Sequence, residues 1–183
     1  MSSALGLDKQ LDETASRIFR QASKQGLLRG RAIESIASAA LLAAAKIHKR
    51  PITIEDVRQV SRISPNITIR SAYRTLDRDL ELPIPPSRPI EFLPRVIDGL
   101  ELQDDRRDEL RQEARELAID VEENALIHGS PTGIAAGIVD YVAKRRGFPV
   151  TQFDLEDAID VTPSTIRKNR DKVIEWLESE GSV

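Results

Sequence analysis

Hydroxyl and cationic side chains near the C-terminal end of the sequence have the chemistry that nucleic-acid binding requires. They lie at the beginning of one predicted helix and face outward when its apolar residues face inward: Ser164, Thr165, Arg167, Lys168 and Arg170. Arginine pairs in a bidentate manner with guanine, and serine or threonine contacts bases or phosphates. The pattern predicts a DNA-reading helix, although a solvated basic surface would have the same composition.

Further basic groups follow the two helices that are richest in small residues. They comprise Lys144, Arg145 and Arg146 after one helix, and Lys49 and Arg50 after the other. Cations stabilise helix C-termini through the helix dipole, so these groups either serve their own helices or contact DNA phosphates. Arg70 and Arg74, on an earlier helix, form a second candidate DNA face or a surface for a protein partner.

A catalytic or metal-binding set is not visible in the sequence. The chain contains no cysteine, which excludes disulfides, zinc fingers and thiol catalysis. His48 and His128 are the only histidines, and no second ligand lies at metal-binding spacing from either. No phosphate-binding glycine motif is present. We therefore expect no enzymatic activity, no metal and no cofactor.

The charge distribution is uneven along the chain. The 183 residues carry a net charge of −3, but residues 1–98 hold 16 Lys+Arg and 11 Asp+Glu, whereas residues 99–183 hold 11 and 19. The two parts should therefore present different electrostatic surfaces. No apolar run reaches the ~18 residues that would span a membrane, and an intracellular monomer is expected.

The elements that position these side chains are helices. The segment between Gly30 and Pro51 has the alanine content and the spacing of a helix that is buried on most sides. Thr53 and Thr151 are candidate N-caps, each opening a short helix that a tight turn joins to a longer one. Each such pair predicts a helix-turn-helix shape, whose second helix enters the DNA major groove.

An internal repeat organises these helices. Pro51-Ile52-Thr53 returns as Pro149-Val150-Thr151 at a shift of 98, and Thr68-Ile69-Arg70 returns as Thr165-Ile166-Arg167 at a shift of 97. The order of predicted helices matches as well. The sequence thus predicts an all-α protein of two five-helix repeats, with domains at 1–98 and 99–183. Two helical stretches that are alike only in composition are the alternative.

The chain resembles the core of archaeal transcription factor B, the relative of eukaryotic general transcription factor IIB. The similar runs extend in order over nearly the whole chain: Ser3–Leu7 with Glu13–Ala15, Gly30–Glu34, Val60–Ser64, Ser130–Gly133, Thr151-Gln152 and Thr165–Arg167. The resemblance implies two cyclin-like repeats. It also implies binding to the TATA-binding protein on promoter DNA, with DNA contacts on either side of the TATA box and a link to RNA polymerase.

The same resemblance implies roles for particular residues. Thr165 and Arg167 fall on the helix that would read an upstream promoter element, and the basic first repeat would suit an acidic surface of the TATA-binding protein. The expected contacts of that repeat with the TATA-binding protein or the DNA backbone are Arg29, Arg31, Lys49, Arg50 and Arg78. The resemblance further implies a place at the nucleoid in the cytoplasm of an archaeal cell.

The sequence departs from the family in two respects. It lacks the cysteines of the family's zinc ribbon, so we expect either a shortened factor or a naturally ribbonless regulator or competitor. Where the family usually has Thr-Ile-Arg-Asn-Arg-Tyr, the second repeat has Thr165-Ile166-Arg167-Lys168-Asn169-Arg170, and the first has Thr68-Ile69-Arg70 with Tyr73. Either repeat could therefore read DNA, and an interaction module without DNA binding is the alternative function.

Overall fold

The computed structural model describes residues 8–61, 66–124 and 127–180, with the side chain of Asn66 left aside. The helices are α1 (Lys9–Lys24), α2 (Ile33–Ile47), α3 (Ile54–Val60), α4 (Asn66–Leu80), α5 (Leu93–Asp98), α6 (Asp104–Asn124), α7 (Pro131–Arg146), α8 (Gln152–Ile159) and α9 (Pro163–Ser179), with a 3₁₀ turn at Pro89–Glu91. Within these ranges there is no strand. The predicted all-α fold is confirmed. The family-like residues 3–7 and 62–64 lie outside the described part of the chain.

The chain forms two compact units that divide between Pro86 and Ser87. The predicted domain boundary at 98/99 follows the register of the sequence repeat instead. The packing differs because the buried side chains of α5, among them Leu93 and Val96, join the core that α6 and α7 also line. The described part of unit 1 consequently contains four helices where five were predicted, and α5 belongs to unit 2.

Helix α2 is the buried axis of unit 1, as its alanine content predicts. Ile36 and Leu42 are almost wholly inaccessible to solvent, and a continuous run of alanines follows. These small side chains let α1 and α4 pack closely against α2. Burial of a large aliphatic side chain contributes about 1.5–3 kcal/mol, so this helix anchors the unit. Helix α7 has the same position in unit 2, between α6 and α9.

The repeat extends to the turns that follow these two axes. Lys49 has a φ of +52° and Gly147, at the equivalent position, has a φ of +68°. In each unit the amide of the following residue donates a hydrogen bond to a carbonyl oxygen of the last helical turn. Arg50 N donates to Ala45 O (2.8 Å), and Phe148 N donates to Ala143 O (2.9 Å). The two helices therefore end in the same way, although only unit 2 uses the residue that adopts this conformation without strain.

Each helix-turn-helix pair begins with a capping box, which confirms both predicted N-caps. Thr53 Oγ1 accepts from Asp56 N (3.2 Å), while Asp56 Oδ2 accepts from Thr53 N (2.7 Å). Thr151 and Asp154 repeat both bonds at the same two distances. Each box satisfies amides that the first helical turn would otherwise leave without an acceptor.

Replacement of Thr151 by alanine should therefore lower the free energy of unfolding by about 1 kcal/mol. Urea unfolding followed by circular dichroism would measure the loss. Thr151→Ser is the matched control, since it keeps the capping hydroxyl and should stay close to the wild type. Equal losses in the two variants would show that the cap contributes nothing.

Candidate nucleic-acid interface

The exposed beginning of α9 carries the predicted reading residues of unit 2. Ile166 and Val173 are fully buried on the inward face of the helix, whereas Ser164, Arg167 and Lys168 face solvent. The orientation predicted for these three residues is confirmed. Arg167 and Lys168 form no ion pair with any other described residue. Two exposed cations without a competing carboxylate are therefore available to a polyanion.

Hydroxyl groups fix the first turn of this helix. The N-cap residue Thr162 places its Oγ1 3.2 Å from Ser164 Oγ and 3.0 Å from Thr165 Oγ1. Pro163 follows at the first helical position, where its missing N–H costs nothing. Thr165 is only partly exposed. Together these residues present hydroxyl donors and acceptors and the positive end of a helix dipole beside the two cations.

Arg170 does not face outward, and that part of the prediction is wrong. Its side chain is 18% exposed, with Nη1 3.3 Å from Asp140 Oδ2 and Nη2 2.6 Å from Asp171 Oδ1. Asp140 lies on α7, 30 residues earlier, so the helical spacing of α9 could not reveal this partner. Lys172, two residues further along α9, donates to the carbonyl oxygen of His128.

The basic group at the end of α7 is paired within unit 2. Lys144 Nζ lies 2.9 Å from Asp140, Arg145 forms an ion pair with Glu113, and Arg146 forms ion pairs with Glu109 and Glu113. This group is also remote from the reading face. Gly133 of α7 lies against Thr165, and Lys144 follows eleven residues later, about 16 Å further along the helix. Of the two interpretations left open, the arrangement favours stabilisation of the fold.

Glycines let α9 approach α7 closely. A Cβ atom at Gly137 would lie 2.7 Å from Arg170 N and 2.9 Å from Asn169 C, which are backbone atoms. Asn169 is buried against this surface and donates from Nδ2 to Thr165 O (2.8 Å). The reading helix is therefore held against α7 by backbone contact as well as by side chains.

A buried carboxylate at the centre of unit 2 was not singled out by its sequence pattern. Asp140 is fully buried, and its Oδ2 accepts hydrogen bonds from Lys144 (3.0 Å), from Gln152 (3.0 Å) and from Arg170 (3.3 Å). These donors lie on α7, α8 and α9. An aspartate amid apolar residues of a helix is the sequence signal that could have identified it, since buried charges are almost always paired.

Helix α4 offers the corresponding face in unit 1. Arg70, Ser71 and Arg74 are exposed, and neither arginine forms an ion pair with another described residue. Between them lies the half-buried Tyr73, whose ring has Lys46 Nζ 5.0 Å from its centroid. Burial, reinforced by the nearby Asp77 carboxylate, raises the pKa of Tyr73 to about 12. The two arginines therefore form a second unpaired cationic surface.

The residues expected to contact a partner are all exposed. Arg29, Lys49 and Arg50 form no ion pair with other described residues. Arg31 donates to its own chain, at Leu27 O (3.0 Å). Arg78 forms a bidentate pair with Asp79 at 2.6 and 3.1 Å, and that hydrogen bonding raises the pKa of Arg78 and lowers the pKa of Asp79. Arg78 is accordingly the one of these residues that already has a carboxylate partner.

The histidines have no ligand geometry in the described part of the chain. His48 Nε2 lies 2.9 Å from Thr14 Oγ1, a contact that joins the end of α2 to α1, and His128 is exposed. No group of three potential metal-ligating side chains occurs among the residues that the structure describes. None of the described helices is both long and apolar enough to cross a membrane.

Comparison with known proteins gives one consistent result along the chain. Residues 1–79 match the transcription factor TFIIB repeat family. The chain is 36% identical over 180 residues to transcription initiation factor IIB 2 of Halobacterium salinarum, covering 98% of this chain and 54% of that protein. It is 36% identical over 181 residues to transcription initiation factor IIB of Methanosarcina mazei, with coverages of 98% and 52%. The chain spans about half the length of the relatives it matches.

A solved structure is similar at low sequence identity. A viral cyclin from herpesvirus saimiri aligns with 95% of this chain and 80% of its own, with a TM-score of 0.42 and 18% identity.

Proposed function

Over the region that it shares with these relatives, the chain belongs to the transcription initiation factor IIB family, and we propose that it binds promoter DNA together with the TATA-binding protein. The observation that carries the proposal is the exposed, unpaired Arg167 and Lys168 at the beginning of α9. Lys168 supplies attraction to phosphate that is independent of sequence, and Arg167 reads a base edge. No catalytic step is part of this function.

Unit 1 supplies the complementary contacts in this proposal. Arg29, Arg31, Lys49 and Arg50 meet an acidic surface of the TATA-binding protein or the DNA backbone, and Arg78 joins them once it exchanges Asp79 for the partner. Arg70 and Arg74 contact DNA from α4. We expect the chain to act as a monomer at chromosomal DNA inside the cell. In this proposal the pair of repeats competes with other factors of the family for the same promoter complex.

Arg167→Ala should weaken the promoter complex by about 1–3 kcal/mol and relax the preference for sequence at one position. Lys168→Ala should weaken binding to all sequences and reduce the slope of log K against log salt by about 1. Gel shifts on TATA-containing and random DNA, with and without TATA-binding protein, would measure both effects.

Arg115→Ala is the matched control for these variants. Arg115 is an exposed cation of α6 that forms no ion pair with other described residues, so its loss changes the net charge of unit 2 equally. We expect it to bind as the wild type does. Absence of any DNA-dependent complex of the unmodified chain at low salt would refute the proposed function.

A protein-interaction module without DNA binding is the second candidate. The observation that favours it is the exposure of Ile33 and Ile67 in unit 1, at 60% and 62%. Ile67 lies at the beginning of α4, where the equivalent position of unit 2 is the polar Ser164. Binding to the TATA-binding protein in the absence of DNA, with no change when DNA is added, would support this candidate instead.

A further inference from the structure

The two repeats differ at three equivalent positions, which hydrogen bonds to Asp140 join in unit 2 and which line the core or pack against it in unit 1. In unit 1 the positions on the axis helix, the short helix and the long helix are Leu42, Ile54 and Tyr73; in unit 2 they are Asp140, Gln152 and Arg170. The shifts are 98, 98 and 97, those of the sequence repeat. An apolar set has thus been exchanged for a polar one as a whole, because each member of the first set has a polar counterpart in the second.

The lysine next to each set has a different partner in the two units. Lys46 and Lys144 are equivalent, and Lys46 lies over the Tyr73 ring whereas Lys144 forms an ion pair with Asp140. The carboxylate of Asp140 therefore replaces an aromatic ring as the partner of this cation. In unit 1 these positions join the long helix to its neighbours through apolar side chains and the Lys46–Tyr73 contact. In unit 2 it is held by hydrogen bonds with fixed geometry.

Stability alone does not account for this cluster. Removing charges from water costs more than most buried ion pairs return, and apolar residues of similar volume are often at least as stable. Unit 1 shows that an apolar set fits this site between the same three helices. The polar set must therefore provide something that Leu42, Ile54 and Tyr73 do not, and direction is the property that distinguishes the two.

We propose that Asp140 is a positioning residue, which joins α7 to both helices of the α8–α9 pair and sets the direction of α9. Its contact with Arg170 fixes α9 in rotation one turn beyond Arg167, and its contact with Gln152 fixes the first residue of α8. The exposed beginning of α9, with Arg167 and Lys168, then enters the DNA major groove at a single fixed angle. This inference rests on the proposed function, because α9 is the helix assigned to DNA.

The test exchanges the whole set. A triple variant, Asp140→Leu with Gln152→Ile and Arg170→Tyr, gives unit 2 the residues of unit 1. We expect it to melt no lower than the wild type, because no buried charge is left unpaired. Its affinity ratio for promoter over random DNA, measured with TATA-binding protein present, should fall about tenfold, the value of one base contact.

A second measurement does not depend on DNA. The chain has no cysteine, so spin labels on cysteines introduced at Ser164 and Glu116, both exposed, report the distance between α9 and α6 without background labelling. The triple variant should give a broader distance distribution than the wild type. If the wild type forms no DNA complex, the proposed function fails, and this measurement still decides whether Asp140 positions α9.

Glu122→Gln is the matched control. Glu122 is another mostly buried carboxylate of unit 2, and its partners, Arg88 and the Ile90 amide, lie on neither α8 nor α9. Its loss should change neither the affinity ratio nor the distance distribution. An unchanged distribution in the triple variant overturns the inference, as does an unchanged affinity ratio. A triple variant that does not fold also overturns it, since the polar set would then be needed for stability.

Discussion

Asp140→Leu, made alone, is expected to lower the free energy of unfolding of unit 2 by about 3 kcal/mol, because it leaves a buried guanidinium without its carboxylate. The effect lies at the low end of the range for broken buried pairs, since Arg170 keeps Asp171 as a second partner. The shape of the new side chain is not the cause, because Leu42 occupies the equivalent site in unit 1. Urea unfolding followed by circular dichroism measures the change.

Lys144→Met is the control for this prediction. Lys144 is 47% exposed, so its ion pair with Asp140 is screened by solvent, and its loss should cost less than about 1 kcal/mol. The loss of unfolding free energy in Asp140→Leu should therefore be much larger than the loss in Lys144→Met. If the two variants are equally stable, the carboxylate of Asp140 has no buried partner that depends on it.

Gly137→Ala is expected to destabilise unit 2 by about 2 kcal/mol through overpacking, although alanine favours a helix. The added Cβ atom would meet Arg170 N at 2.7 Å and Asn169 C at 2.9 Å. Both are backbone atoms, so relief requires α9 to move away from α7 as a whole. Thermal and urea unfolding measure the loss, and weaker DNA binding by the folded variant should accompany it.

Gly133→Ala separates this effect from a general loss of glycine. A Cβ atom there would meet Ser130 Oγ at 2.8 Å and Asn169 Nδ2 at 2.9 Å, which belong to side chains. Both atoms make hydrogen bonds, Ser130 Oγ with Gly133 N and Asn169 Nδ2 with Thr165 O, but they can shift without moving the backbone of α9. This variant should therefore lose less stability than Gly137→Ala. The reverse order would show that the backbone of α9 is free to shift.

The helices and their order follow from local signals that the sequence displays. These signals act on neighbours within about four residues, so each segment can be interpreted by itself. They include threonine caps such as Thr53, the alanine run of α2 and the helix breaks at Pro51 and Pro149. Because the sequence repeats, the helix order predicted for one unit could be checked against the order predicted for the other. Helical spacing also placed Arg167 and Lys168 outward, because the inward face of α9 is continuous and aliphatic.

The pairing of charges could not be predicted in this way. Whether Arg170 faces solvent or a carboxylate depends on Asp140, and whether Arg145 is available depends on Glu113, 32 residues away. Which charged side chains meet depends on the angle between packed helices, and side-chain type and spacing do not specify that angle. The close approach at Gly137 is equally a property of two helices together. A sequence therefore identifies cations more readily than it identifies free cations.

The separation of the two hydrophobic cores has a consequence for the order of events during synthesis. The core of unit 1 and the side chains packed against it extend from Leu11 to Ile84, so every residue it needs has left the ribosome early. The core of unit 2 includes Leu177 on α9, so it cannot be completed until that helix has been translated. At 5–20 residues per second the interval is roughly 5–20 seconds. Unit 1 should be folded and protease-resistant on ribosomes that have not yet translated α9.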